Sequence, residues 1–295
     1  MCAVMKKHGV LLSTSIDGPA ALHNRNRPTP TRDAFERTVT GIEMARELIG
    51  KDCVSALMTT TRDSLLQPEA IVDEYVRLGF HDIFVRPLSA YGFAKRNQSF
   101  LAYSLEAFKT FYDRAVRRVL HWNRQGFALR EVYASVVLNK ALSPFDSGYV
   151  DLQSPTGAGS SVMVFNYDGF VYPSDEARML AENGDTSLRL GRIGEQFDVL
   201  RSSEVNAALR KASLAGSDES CRSCAYNQYC APNPVEAQAQ HGRMDAPAVS
   251  TEHCQRHLWM FDHFLDLVAQ DDPWLMDLFY SWAMPRPPER APCAA

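Results

Sequence analysis

Apolar and polar positions alternate in two different rhythms along the first ninety residues. "GVLLSTSI" (9–16), "CVSALMTTT" (53–61) and "DIFVRPLS" (82–89) are short apolar runs of strand length. Between them, "DAFERTVTGIEMAREL" (33–48) and "PEAIVDEYVRLG" (68–79) repeat their apolar residues at helical spacing, the second opened by Pro68 and closed by Gly79. Strand, helix, strand, helix, strand with short links predicts an α/β unit with parallel strands and right-handed crossovers. The first of these strands has no preceding strand or crossover to cover its outer edge, so the pattern predicts an incomplete first sheet.

The rhythm then becomes helical over "LEAFKTFYDRAVRRVLHWNRQG" (105–126) and "REVYASVVLNKAL" (130–142). The Ser-, Pro- and Gly-rich "SPFDSGYVDLQSPTGAGS" (143–160) predicts a boundary, which divides the chain into 1–145 and 146–284. Beyond it, "SVMVFNYDGFVYP" (161–173) reads as a hairpin about Asp168-Gly169, a pair suited to a turn needing positive φ. A loop-rich stretch follows, then an amphipathic helix over "CQRHLWMFDHFLDLV" (254–268) and a tail, "PRPPERAPCAA" (285–295), expected to be disordered.

Composition narrows the function classes. The 295 residues are 45% hydrophobic and 22% charged, with a net charge of -4, an ordinary globular balance without a basic stripe for nucleic acid. No apolar run approaches the ~18 residues of a membrane span, and "MCAVMKKHGV" lacks the apolar core of a signal peptide, so a cytoplasmic chain is expected.

Seven cysteines at uneven spacing suit metal ligation better than a disulfide framework. Cys221, Cys224 and Cys230 follow C-x2-C-x5-C in "CRSCAYNQYC", and Cys254 opens the 254–268 helix. Four thiolates can enclose a tetrahedral zinc ion or a four-iron cluster, and the spacing leaves both open beside plain buried thiols. Cys53 reads as a packed small hydrophobe, and Cys2 and Cys293 carry no partner pattern.

Two further stretches, "STSIDGPAALHNRNRP" (13–28) and "DGFVYPSDEARML" (168–180), together with "VSALMTTTR", "VRPLSAYGFA" and the cysteines, resemble radical S-adenosylmethionine (SAM) enzymes with a SPASM domain. Their order is most similar to the His-Xaa-Ser system radical SAM maturases, which act on ribosomally made precursor peptides, in some cases beside a second maturase. The resemblance implies an α/β fold: strands four to six of a partial (β/α)6 TIM-type barrel over 1–145, then a SPASM-like domain over 146–284. It implies SAM contacts from Ser15, Arg27 and Leu88, and one auxiliary 4Fe-4S cluster on Cys221, Cys224, Cys230 and Cys254.

It also implies a substrate-facing general base at Asp175, although that residue reads equally well as the cap of the helix-like "EARML" (176–180). Three cysteine positions of a two-cluster SPASM domain are occupied here by Thr156, Ser174 and Pro234, so a single cluster is expected. The C-x3-C-x2-C loop that binds the SAM-cleaving cluster occurs nowhere in the sequence. The expectation is therefore a fragment, or a gene model begun at an internal Met, inactive by itself. The competing expectation is a non-catalytic four-cysteine zinc or iron-sulfur scaffold that binds a peptide or a partner maturase.

Overall fold

A computed structural model describes residues 2–89, 91–92 and 96–284. The tail 285–295 lies outside the described residues. The chain separates into two compact units, residues 1–88, 99–135 and 284–295 in one, and 89–98 with 136–283 in the other.

In the first unit, β1 (Leu12–Ser15), β2 (Val54–Thr59) and β4 (Val85–Arg86) lie parallel in the order β1-β2-β4. Leu12 to Ser15 pair in register with Val54 to Leu57, and Met58 and Thr59 with Val85 and Arg86. α3 (Ala34–Ile49) connects β1 to β2 and buries Ile42, Ala45 and Ile49, while α4 (Pro68–Arg77) buries Ile71, Val72 and Tyr75. Each buried Ile or Val among them contributes ~1.5–3 kcal/mol by leaving water. The Tyr75 hydroxyl donates to the Ile16 carbonyl at 2.8 Å, which ties α4 to the end of β1.

Three details differ from the sequence reading. β1 begins only at Leu12, because a helix, α1 (Cys2–Lys7), precedes it and Val10 and Leu11 stay exposed after the positive-φ Gly9. The expected strand 82–89 is two short pieces: β3 (Asp82–Ile83) pairs with a further parallel strand, β5 (Arg130–Glu131), and β4 pairs with β2. Cys53 is fully buried as expected of a packed thiol, but it is disulfide-bonded.

The Leu105–Arg124 helix is capped by Ser104, whose side chain accepts from Ala107 N–H, and it packs against α4. Arg118 and Arg114 reach across to form paired hydrogen bonds with Asp73 and Glu69. Glu131 is wholly buried at the end of β5 and accepts from Val85 N–H at 3.0 Å, Ala134 N–H at 2.5 Å and the Tyr112 hydroxyl. It thereby links β4, the Leu105–Arg124 helix and the start of the Val132–Leu142 helix. Among the described residues the strands form open sheets and no closed barrel.

In the second unit, β6 (Val164–Phe165), β7 (Phe170–Tyr172) and β8 (Gly191–Arg192) form an antiparallel sheet in that order. The hairpin turn is present, but only Gly169 has positive φ. Asp168 instead accepts from Phe170 N–H at 3.0 Å, and Gly169 N–H donates to Asn166, a turn closed by a left-handed glycine. Tyr91, Tyr172, Ala177, Leu180, Leu188, Leu209 and Val235 form one buried cluster over this sheet. The expected last helix spans Glu252–Val268, and a further one, Pro273–Ala283, packs Phe279 edge-on against Phe264.

Candidate metal centre and SAM-contact residues

Two helix starts and one tight turn position the four cysteines of interest. Asp218 caps the Glu219–Arg222 helix and accepts from Cys221 N–H at 3.1 Å. Its second oxygen accepts from Ala248 N–H at 2.9 Å, so one carboxylate joins the Cys221 turn to the segment leading into the last long helix. There Thr251 caps Glu252–Val268 and accepts from Cys254 N–H at 3.2 Å. Cys221 and Cys254 thus occupy the same third position of their helices, each with its backbone N–H taken by the cap.

Between them, Cys224 N–H donates to Cys221 O at 3.1 Å and Tyr226 N–H donates to the Cys224 sulfur at 3.4 Å. Asn227 Nδ2 donates to Cys221 O at 2.7 Å, and Cys230 N–H to Tyr226 O at 3.0 Å. All four thiols are free and half-buried. They line one recess of about 90 Å³ with Val249, Tyr226, Leu258 and Phe261. Tyr226 and Phe261 stack with centroids 5.1 Å apart, and the Tyr226 hydroxyl donates to Asp262.

Burial pushes the Cys221 thiol up to about 12, helped by the Asp218 carboxylate and by Cys254 and Cys224. Burial likewise pushes Cys230 up to about 12, with Cys254 and Cys221 adding to it, and raises Cys254. These mutual influences place the thiols within electrostatic reach of one another. A bound cationic centre reverses the balance, because thiolate ligation offsets both burial and mutual repulsion.

The donor set fits a four-thiolate group. Among the described residues no three His, Cys, Asp or Glu side chains are gathered into a group that could hold a metal ion as they stand. A tetrahedral zinc at ~2.3 Å from each sulfur draws the sulfurs to within about 3.8 Å of one another. A four-iron cluster holds its thiolates farther apart than a single zinc does, so the two groups differ in the sulfur spacing they need.

Ser15, Arg27 and Leu88 lie in the first unit. Ser15 ends β1 and is half-buried, and Leu88 lies two residues beyond β4, so both stand at the C-terminal end of the same parallel sheet. Leu88 N–H donates to the Tyr103 hydroxyl at 2.7 Å. Arg27 is the C-cap of α2 (Ala20–Asn26), a helix that sequence periodicity is too short to reveal. Its Nε and Nη2 donate to Asp17 at 2.8 and 3.2 Å, forming a bidentate ion pair. Asp17 itself carries no direct sign of this role in the sequence, where Asp-Gly-Pro reads as turn chemistry.

Asp175 opens the Asp175–Glu182 helix with its side chain half exposed, held by Arg178 at 2.7 Å. Thr156, Ser174 and Pro234 serve local structure. Thr156 Oγ1 donates to Val150 O at 3.1 Å and accepts from Ala158 N–H at 3.2 Å. Ser174 caps the helix that Asp175 begins, and Pro234 takes the first turn of Pro234–His241 behind the Asn233 cap.

No protein-family profile and no curated protein sequence matches the chain. Solved structures of similar fold include those of anSMEcpe, a radical SAM/SPASM enzyme. Native anSMEcpe with bound AdoMet is 18% identical with a TM-score of 0.67, over 95% of this chain and 71% of that one. A histidine-tagged form with bound AdoMet is 17% identical with a TM-score of 0.70, over 99% and 71%. Native anSMEcpe with bound AdoMet and Kp18Cys peptide is 17% identical with a TM-score of 0.67, over 95% and 72%. At such identity the likeness is one of fold: this chain has an α/β architecture similar to that of a radical SAM/SPASM enzyme.

Proposed function

We propose that this chain supplies the SAM-contacting and auxiliary-cluster portion of a radical SAM enzyme that modifies a peptide. The observation that carries the proposal is the convergence of Cys221, Cys224, Cys230 and Cys254 on one apolar recess, in a fold similar to that of a SAM-binding enzyme. Those four thiols would hold a single 4Fe-4S group, which when bound supplies an electron acceptor or a substrate anchor. Ser15 and Arg27 would recognise the polar end of SAM, and Leu88 would cover its adenine.

The similar structures include one with bound AdoMet and peptide, which favours a peptide substrate. Affiliation with the His-Xaa-Ser maturases, a ribosomally made precursor and a second maturase as partner rest on the sequence motifs. A general-base role for Asp175 requires its carboxylate to leave Arg178 and lose its exposure. SAM cleavage requires a C-x3-C-x2-C cluster loop, which these 295 residues do not contain, so the chain alone does not cleave SAM.

Anaerobic reconstitution with iron and sulfide, followed by metal analysis and a visible spectrum, tests the reading. About four irons per chain with broad absorption near ~400 nm are expected, and both are lost in Cys224→Ala. One zinc per chain and a colourless protein would replace the electron-transfer role with a structural zinc scaffold.

A further inference from the structure

The strongest unassigned feature is the buried carboxylate beside Arg27. Asp17 is 1% exposed, yet Arg27, its partner in the ion pair, keeps 38% of its side chain in contact with solvent. Asp17 is fixed from three directions. Its Oδ1 accepts from Thr59 N–H at 3.2 Å, at the end of β2. Its own N–H donates to Nδ1 of the fully buried His23, at 3.2 Å. The residue before it, Ile16, accepts the Tyr75 hydroxyl from α4.

A guanidinium has five N–H donors and two edges that match a carboxylate. Asp17 takes the edge formed by Nε and Nη2. The edge formed by Nη1 and the second Nη2 hydrogen has no protein partner among the described residues. It is therefore free for a second carboxylate, already oriented by the first.

We propose that Asp17 is a positioning residue, which holds Arg27 so that its free edge receives the carboxylate of a SAM-type amino acid. This rests on the reading above that Arg27 contacts SAM. The ion pair is electrically neutral as a unit, so it recognises the ligand by donor geometry instead of by net positive charge. Freed from Asp17, the long Arg27 side chain would have to lose its rotamer freedom when the ligand binds, and affinity falls accordingly.

The test is calorimetric titration of the full chain with two probes. S-adenosylhomocysteine keeps the amino-acid carboxylate, and 5'-methylthioadenosine lacks it. Wild type should bind the first more tightly. Asp17→Asn should weaken S-adenosylhomocysteine roughly tenfold and leave 5'-methylthioadenosine unchanged, as should Arg27→Gln, with the double variant no weaker than Arg27→Gln alone. Unchanged S-adenosylhomocysteine affinity in Asp17→Asn overturns the proposal, and so does an equal loss for both probes, which marks a purely structural role.

If Asp17→Asn does not fold, Arg27→Lys decides. It leaves the buried carboxylate a cation but no second edge, and undiminished preference for S-adenosylhomocysteine would overturn the proposal. Wild type that binds S-adenosylhomocysteine while Arg27→Gln binds it equally well removes the Arg27 contact and the Asp17 role with it, and leaves SAM binding by the chain standing. Wild type that binds neither probe removes the SAM reading, and the Asp17 role with it.

Discussion

Glu131 shows how one side chain couples the first unit to pH. Burial drives its carboxyl up to about 7, against the pull of the donors from Tyr112, Ala134, Val85 and Tyr133. In the unfolded chain the same group ionises near 4.5, so the folded protein binds a proton that the unfolded protein has released. Stability from this group is complete below pH ~4.5 and is lost as pH rises through ~7, a change of about 3 kcal/mol. Glu131→Gln has no ionised form. Urea midpoints measured from pH 4 to 8 should therefore show wild type losing stability relative to the variant across that window. A difference between the two that does not vary with pH would show that Glu131 does not titrate there.

At the scale of elements, the caps decide how the cysteine recess is held. The Asp218 carboxylate accepts from Cys221 N–H, Ala248 N–H and the Ser220 hydroxyl, so it fixes two of the segments that deliver thiols. Asp218→Ala should shorten the lifetime of reconstituted iron under a chelator roughly tenfold or more, since each lost charge-assisted bond is worth ~1.5–3 kcal/mol. Asp218→Asn keeps one acceptor oxygen and should fall between. Iron retained by Asp218→Ala as long as by wild type would show that the cap is dispensable.

A related prediction concerns Ser174, where the fold uses a side chain that the resemblance places at a cysteine position. Ser174→Ala removes the cap on Asp175–Glu182 and should cost about 1 kcal/mol in chemical denaturation, without altering iron content. Loss of iron in that variant would instead give Ser174 a part in the metal site.

These elements were unequally legible. Periodicity located β2, α3, α4 and the Leu105–Arg124 helix, because each is long enough to show its rhythm and each buries one face. It missed β5 and β8, two-residue strands that have no period and exist through pairing with distant partners. The four cysteines were visible as a spacing, and their caps were available as Asp and Thr three residues before Cys221 and Cys254. The Asp17–Arg27 pair was not, since ten residues and a helix separate the partners and only the fold closes that distance.

For the molecule as a whole, the two compact units imply different responses to metal. Every thiol of the recess belongs to the unit formed by 89–98 and 136–283, while Ser15, Arg27 and Leu88 belong to the other. A group that binds the folded state and not the unfolded one stabilises what it binds, so loading the cysteines deepens the well of that unit alone. Hydrogen exchange on reconstituted and metal-free protein tests this. Protection should rise around 218–231 and 247–258, where backbone N–H groups of the caps and turns hold the cysteines, and stay constant along β1, β2 and α4. Equal gains in both units would mean that the chain opens as one cooperative body, and the metal would then act on the stability around Ser15, Arg27 and Leu88 as well.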